Sequence, residues 1–241
     1  MKYVRDGLEA SFDTDRIRKF LPIVYDPKGY ASRPKPEGLY YRILKKKDEE
    51  AIQFFIHWDE QDCRKEYFGF GHLFTHRFDY EPIIAFARDD KVTALVVAGG
   101  GNLLQGGHQT EIYGERQSLA VRQVAYRTSK TPEYPFGEHG YIASVKEAPI
   151  ASVTFEDKRP ALAVATCYHV YTAVRSHLYG SQLAMRLSEL SNNVLDSWYE
   201  DEYFGHDVSD PWEYPHIRYY PSPKMKALIE QRADIAPKNH I

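Results

Sequence analysis

Ala51-Ile52-Gln53-Phe54-Phe55-Ile56-His57-Trp58-Asp59 is the stretch on which the reading of this chain turns. Ile52, Phe54, Ile56 and Trp58 fall on one side of an extended backbone, and Gln53, Phe55, His57 and Asp59 on the other. That period of two suits a pleated strand, whose side chains alternate between faces, and not a helix. His57 and Asp59 share the second face at the strand's end. Outward from it, Leu39 to Leu44 reads as a strand, joined to this one through the charged turn Lys45 to Glu50. Residues 11–20 suit a short helix capped by Asp13 or Thr14, ending near Leu21-Pro22-Ile23-Val24-Tyr25. The segment Asp26 to Gly38, with Pro27, Gly29, Pro34 and Pro36, reads as a loop.

Downstream, a polar link carrying Cys63 and a Gly69-Phe70-Gly71 bend lead to His72-Leu73-Phe74-Thr75-His76-Arg77-Phe78-Asp79-Tyr80-Glu81. It packs two imidazoles and two carboxylates into ten residues and runs into an apolar segment, Pro82 to Ala87. Asp79 and Glu81 are two residues apart, so on a strand they share a face. His76 lies on the turn leading in. Val92 to Ala98 is almost continuously apolar, which predicts a strand buried on both faces.

The glycine loop Gly99 to His108 lacks the Lys and Ser/Thr of a phosphate loop, since Gly107-His108 stand in their place. A wide turn is the reading there. Ser118 to Arg127 suggests a strand, Thr128 to Gly140 a long loop, and Pro160 to Tyr171 a strand with Ala163, Ala165, Cys167 and His169 on one face. From Ser181 the period changes: Leu183, Leu187, Leu190, Val194 and Trp198 predict an amphipathic helix over 181–199. Tyr199 to Pro223 is aromatic and acidic and predicts a cover, followed by a short helix from Ser222-Pro223.

The chain has 241 residues, 43% hydrophobic and 27% charged, with a formal charge of −3. No overall basic field points to nucleic acid, and no apolar run approaches the length of a membrane span. Aromatic residues make up 14%, with 19 Tyr, which suits a β-rich core. A single domain, 1–241, is expected, mainly β in an α+β arrangement. Cys63 and Cys167 form neither a metal pair nor a disulfide framework and are expected to be free thiols. With no leader-like N-terminus and no run of membrane-span length, a soluble cytoplasmic protein is expected.

Ten histidines are spread along the chain. Imidazole beside Asp and Glu oxygens suits a divalent cation, oxygen-rich ligation favouring Mg, Ca or Mn and several imidazoles favouring Zn or Fe. The candidate metal ligands are His76, Asp79 and Glu81, with His57 and Asp59 as neighbours. His76 or His169 is the candidate general base should such a site activate water. There is no G-x-S-x-G elbow, so covalent serine catalysis is set aside. Three readings follow: a cation site binding a polar ligand such as a glycan or lipid headgroup, a metal-dependent hydrolase of an ester, phosphoester or glycoside, and a partner-binding protein using Tyr199 to Tyr220.

Thr75 to Glu81 resembles a relaxed form of the G-H-R-H-D-W-E heptapeptide of the necrosis- and ethylene-inducing-peptide-like proteins, and the looser H-x-x-D-W-E element of vacuolar-sorting-type domains. Four of the seven positions match, His76, Arg77, Asp79 and Glu81. Leu21 to Tyr25, His57-Trp58-Asp59, Arg159-Pro160 and Tyr168-His169 follow in the same order. The resemblance spans residues 20–172. It implies a β-sandwich with flanking helices, residues 173–241 adding a helix and a cover. It also implies a divalent cation in a surface cavity, held at positions matching His76, Asp79 and Glu81 with an acid near Asp59. In cytolytic members that cavity recognises sphingolipid headgroups. Phe78 and Tyr80 stand here in place of the family's second histidine and its tryptophan.

Overall fold

The computed structural model describes residues 8–30, 35–64, 76–99, 109–114, 145–167, 169–174, 180–201, 204–206, 211–212 and 219–221. The elements in the first half of the chain are β1 (Ala10–Ser11), α1 (Thr14–Phe20), β2 (Ile23–Asp26), β3 (Pro36–Lys46), β4 (Glu49–Gln61), β5 (His76–Arg88), β6 (Lys91–Gly99) and β7 (Gln109–Gly114). Those of the second half are β8 (Val145–Ala148), β9 (Phe155–Glu156), β10 (Arg159–Val164), β11 (Tyr171–Ala173), β12 (Ser181–Gln182), β13 (Leu187–Glu189), α2 (Asn192–Asp201), β14 (Phe204–His206) and β15 (Tyr219–Pro221). The larger sheet runs β1-β3-β4-β5-β6-β7-β8, with β13 beside β3. The smaller one runs β11-β10-β2-β12, with β9 on β10. The result is a mainly β sandwich with flanking helices.

The alternation at Ala51 to Trp58 decides what lies between the sheets. Ile52, Phe54, Ile56 and Trp58 join the main core with Leu162, Val164 and Tyr171 from the smaller sheet. The other face is buried as well. Phe55 packs with Tyr80, Leu195 and Trp198, the last two from α2, and Ala51 lies with Ile84, Phe86 and Val96, where Trp212 packs against them. Leu95 and Val97 face the first core while Ala94 and Val96 face the second, so β6 is buried on both sides as its apolar run predicts. Asp13 caps α1, its carboxylate accepting from the backbone N–H groups of Asp15 and Arg16 at 3.0 Å each. Asp89 and Asp90, both at positive φ, turn β5 into β6 in two residues without glycine.

Four expectations are corrected. Residues 181–191 are not helical: Leu183 N–H donates to Val24 at 2.8 Å, Leu39 N–H donates to Arg186 at 2.9 Å and Leu190 N–H donates to Tyr41 at 2.7 Å. The unpaired edges of β2 and β3 recruit this backbone, and Leu183, Met185 and Leu187, two apart, pack on the main core. The helix begins only at Asn192. β3 starts at Pro36, inside the expected loop. The expected strand from Pro160 to Tyr171 stops at Val164 and turns through Thr166 to His169 before β11. Cys63 and Cys167 are not free thiols; they form a disulfide across 104 residues. Sequence distance hid this pair because it is the packing of the two sheets that brings the cysteines together. On loop-closure entropy alone a link of that span stabilises the fold by about 4–5 kcal/mol. The expected strand at Ser118 to Arg127, the loop at Thr128 to Gly140, the turn after Gly99 and the closing helix from Ser222 lie outside the described residues.

Candidate functional site

The register of β4 against β5 sorts the candidates by face. Trp58 pairs with Asp79, Ile56 with Glu81, and His57 with Tyr80. Residues directly across an antiparallel pair share a face. Asp79 and Glu81 therefore lie with Trp58 between the sheets, as their spacing predicts. His57 lies on the opposite face.

At the mouth of the sandwich the smaller sheet delivers His169 to this face. Its Nδ1 lies 2.7 Å from Asp79 Oδ2, and its ring stacks on the Trp58 indole with centroids 3.9 Å apart and planes 8° from parallel. Trp58 Nε1–H donates in turn to the Tyr171 hydroxyl at 3.4 Å. His169 is 0% exposed, Asp79 6% and Glu81 1%. Among the described residues His169 Nε2 has no hydrogen-bond partner. Burial pushes the Tyr171 phenol well above its ordinary range, and the charges of Glu81 and Asp79 push the same way. The hydroxyl thus stays protonated beside the carboxylates.

His169 reaches this place on a strained backbone. The Thr166–His169 turn closes with His169 N–H donating to Thr166 at 3.0 Å and Ala165 N–H donating to Val170 at 2.8 Å, and His169 adopts φ 54°. The left-handed region is uncommon for a non-glycine residue, though less so for histidine. Further along the inner face, Glu111 is committed elsewhere. It accepts from the Tyr113 hydroxyl, and from Thr172 Oγ1 at 3.2 Å.

Two sequence candidates do not join Asp79 and Glu81. Asp59 is exposed at the end of the outer face. His57 is buried there, its Nδ1 2.7 Å from Glu37 Oε2 and its ring stacked on Trp198 at 4.8 Å and 12°. The alternation placed these two on one face, and the register puts that face on the other side of the sheet from Asp79 and Glu81. His76 opens β5 with its backbone across from Gln61, and its side chain lies outside the described residues. Among the described residues no three of His, Cys, Asp and Glu converge as metal ligands. Trp58, Tyr171 and the disulfide were missed as parts of the site. The signal that would have found Trp58 is the register of β4 against β5, which sets it opposite Asp79 and which neither strand fixes by itself.

His57 yields a pH prediction. Burial pulls its pKa below the ordinary 6.5, outweighing the hydrogen bond and charge of Glu37 and the charges of Asp79 and Asp59. The folded protein holds fewer protons there than the unfolded chain, so the contribution to stability is full above pH 6.5 and is lost as pH falls through the folded value. Chemical denaturation between pH 7.5 and pH 5 is expected to show stability falling on acidification, with a shallower slope in His57→Gln. Equal slopes in the two proteins would refute the assignment.

The fold and site define a β-sandwich with a buried histidine–carboxylate pair at one end of its inter-sheet core. No family model matches the sequence, and no curated protein matches it. Among solved structures the chain is similar to NLPPya in complex with glucosamine, at 13% identity over 83% of each chain with a TM-score of 0.42. It is similar to NLPPya in complex with mannosamine, at 11% identity over 89% of this chain and 88% of that one with a TM-score of 0.43. A third is necrosis and ethylene inducing protein 2 from the causal agent of cocoa's witches' broom disease, at 13% identity over 75% and 74% with a TM-score of 0.36. A further similar structure is described as a toxin fold for microbial attack and plant defense, at 12% identity over 83% of this chain and 84% of that one with a TM-score of 0.42. With every TM-score below 0.5, no residue role is carried over from them.

Proposed function

We propose that Asp79 and Glu81 bind a hard divalent cation, of the Mg, Ca or Mn type, and present it to a polar ligand bearing hydroxyl or phosphate oxygens. The observation that carries this reading is the buried contact of His169 Nδ1 with Asp79 at 2.7 Å, beside Glu81 on the same face. Two carboxylates two residues apart on one buried strand face form an oxygen donor set of the kind that hard divalent cations take. The donor set fits such a cation. Mg-type ions commonly take one or two protein carboxylates and complete their shell with water, so convergence of three side chains is not required. His169 would then hold a ligating carboxylate from behind, since carboxylates that bind a metal are themselves hydrogen-bonded by supporting groups. His76, three residues before Asp79, is the further ligand that the motif implies.

When bound, the cation would supply Lewis acidity and open coordination positions for ligand oxygens. The protein's own groups fix the carboxylate, exclude water behind it and keep Tyr171 neutral. A hydrolytic role for His169 is the weaker reading, because its ring is 0% exposed and its Nδ1 is engaged by Asp79. No helix among the described residues is long and apolar enough to cross a membrane, so a lipid would be met at its headgroup. Disulfides persist in oxidising compartments and are rare in the cytosol. The Cys63–Cys167 bond thus favours a ligand met outside a reducing compartment over a cytoplasmic setting.

Calorimetric titration with Mg, Ca, Mn and Zn, backed by elemental analysis after dialysis, tests the proposal. Wild-type protein should bind Mg or Ca, with affinity lower by about 10- to 100-fold or more in Asp79→Asn and Glu81→Gln, as when a metal's supporting groups are lost. His76→Ala reports whether the motif histidine contributes. Wild-type protein that takes up no divalent cation would refute the reading.

A further inference from the structure

The disulfide lies where a structural staple and a site component are hard to tell apart, and its position separates them. Cys63 is two residues beyond Gln61, the last residue of β4, and five beyond Trp58. Cys167 belongs to the β10–β11 turn of the other sheet, two residues before His169. Both cysteines are buried, at 0% and 2% exposure. The bond therefore ties the strand end that carries the stacking indole to the turn that carries the stacked imidazole.

His169 sits at φ 54°, a conformation that a non-glycine residue keeps only when its surroundings over-determine it. Side-chain contacts from the larger sheet come from Asp79 and Trp58, and both depend on the turn being docked. The disulfide is a covalent anchor that does not. We propose that the Cys63–Cys167 bond is a positioning element of the cation site: oxidised, it holds His169 against Asp79; reduced, it lets the turn leave the left-handed conformation and the site loosens. The cation part of this inference rests on the function proposed above, whereas the docking of the turn does not.

Reduction here needs a dithiol. One of its thiolates attacks a cysteine sulfur to give a mixed disulfide, and its second thiol then displaces the remaining cysteine. The dithiol leaves as a cyclic disulfide, having delivered two electrons and two protons, and two cysteine thiols remain. With both cysteines buried, attack requires a local opening, which is the motion the proposal describes.

Thermodynamic linkage supplies a test that a purely structural staple would fail. If oxidation strengthens cation binding, cation must stabilise the oxidised form by the same factor. The full chain is equilibrated across ratios of reduced to oxidised dithiothreitol, with and without saturating Mg or Ca, while affinity is measured for each redox form. The reduced form should bind at least tenfold more weakly, and the cation should lower the midpoint potential by about 30 mV for each tenfold. Equal affinities with an unmoved midpoint would overturn the proposal while leaving the cation site intact.

If neither form binds cation, the proposed function fails and the docking of the turn is decided by amide hydrogen exchange. Reduction should speed exchange at Ala165 and His169 while the β4 amides of Phe54 and Ile56 stay protected. Unchanged exchange at Ala165 and His169 would overturn the inference. Loss of protection at all four would overturn it too, because the bond would then support the whole fold and not the turn.

Discussion

Trp58→Ala is expected to lower the unfolding free energy by about 3–5 kcal/mol, the range for removing a large aromatic side chain from a packed core. The indole is fully buried, stacks on His169 and donates to Tyr171. Its loss opens a cavity where the two sheets meet through His169, Asp79 and Tyr171. Trp58→Phe separates the parts of this effect. It keeps an aromatic face for the imidazole but withdraws the N–H donor, whose deletion costs on the order of 1 kcal/mol. Denaturant unfolding of the three proteins at pH 7.5, without added cation, checks both values. A loss below about 1 kcal/mol for Trp58→Ala, as for an ordinary surface change, would show that the indole does not anchor the inter-sheet contact.

Trp198→Ala is expected to be about as costly, again about 3–5 kcal/mol, with the opposite consequence for the site. Trp198 projects from α2 onto the outer face, with ring centroids 4.6 Å from Tyr80, 4.8 Å from His57 and 4.8 Å from Tyr40. Through it, with Leu195, α2 covers the aromatic end of that face. The sheet separates it from Asp79 and His169; its ring neighbour His57 feels the Asp79 charge, but residues that do not touch act nearly independently. Cation affinity should therefore stay within about twofold of wild type, judged against that near-additivity of separate sites. In Trp58→Ala it should fall with stability. If Trp198→Ala weakened cation binding as much as Asp79→Asn, the two faces would be coupled through the sheet and the inner-face assignment would need revision.

Part of this architecture is legible because strand and helix periods are local properties. The alternation from Ala51 to Trp58 sets its two faces, the spacing of Asp79 and Glu81 sets them side by side, and Asp13 announces the start of α1. Residues 181–189 mislead for a physical reason. Leu183 and Leu187 satisfy a helical period, while Leu183, Met185 and Leu187 also satisfy a period of two. The choice between them falls to the open edges of β2 and β3, which are distant in sequence.

Sequence by itself therefore determined that the protein is mainly β and that Asp79 and Glu81 form one carboxylate pair. Tertiary structure decided which face that pair looks onto, because the register of β4 with β5 is fixed by the whole ladder and not by either strand. It removed His57 and Asp59 to the other side of the sheet. It brought His169 across 90 residues to Asp79 and joined Cys63 to Cys167, since contacts between two sheets follow from how their faces pack and leave no periodic trace in the chain.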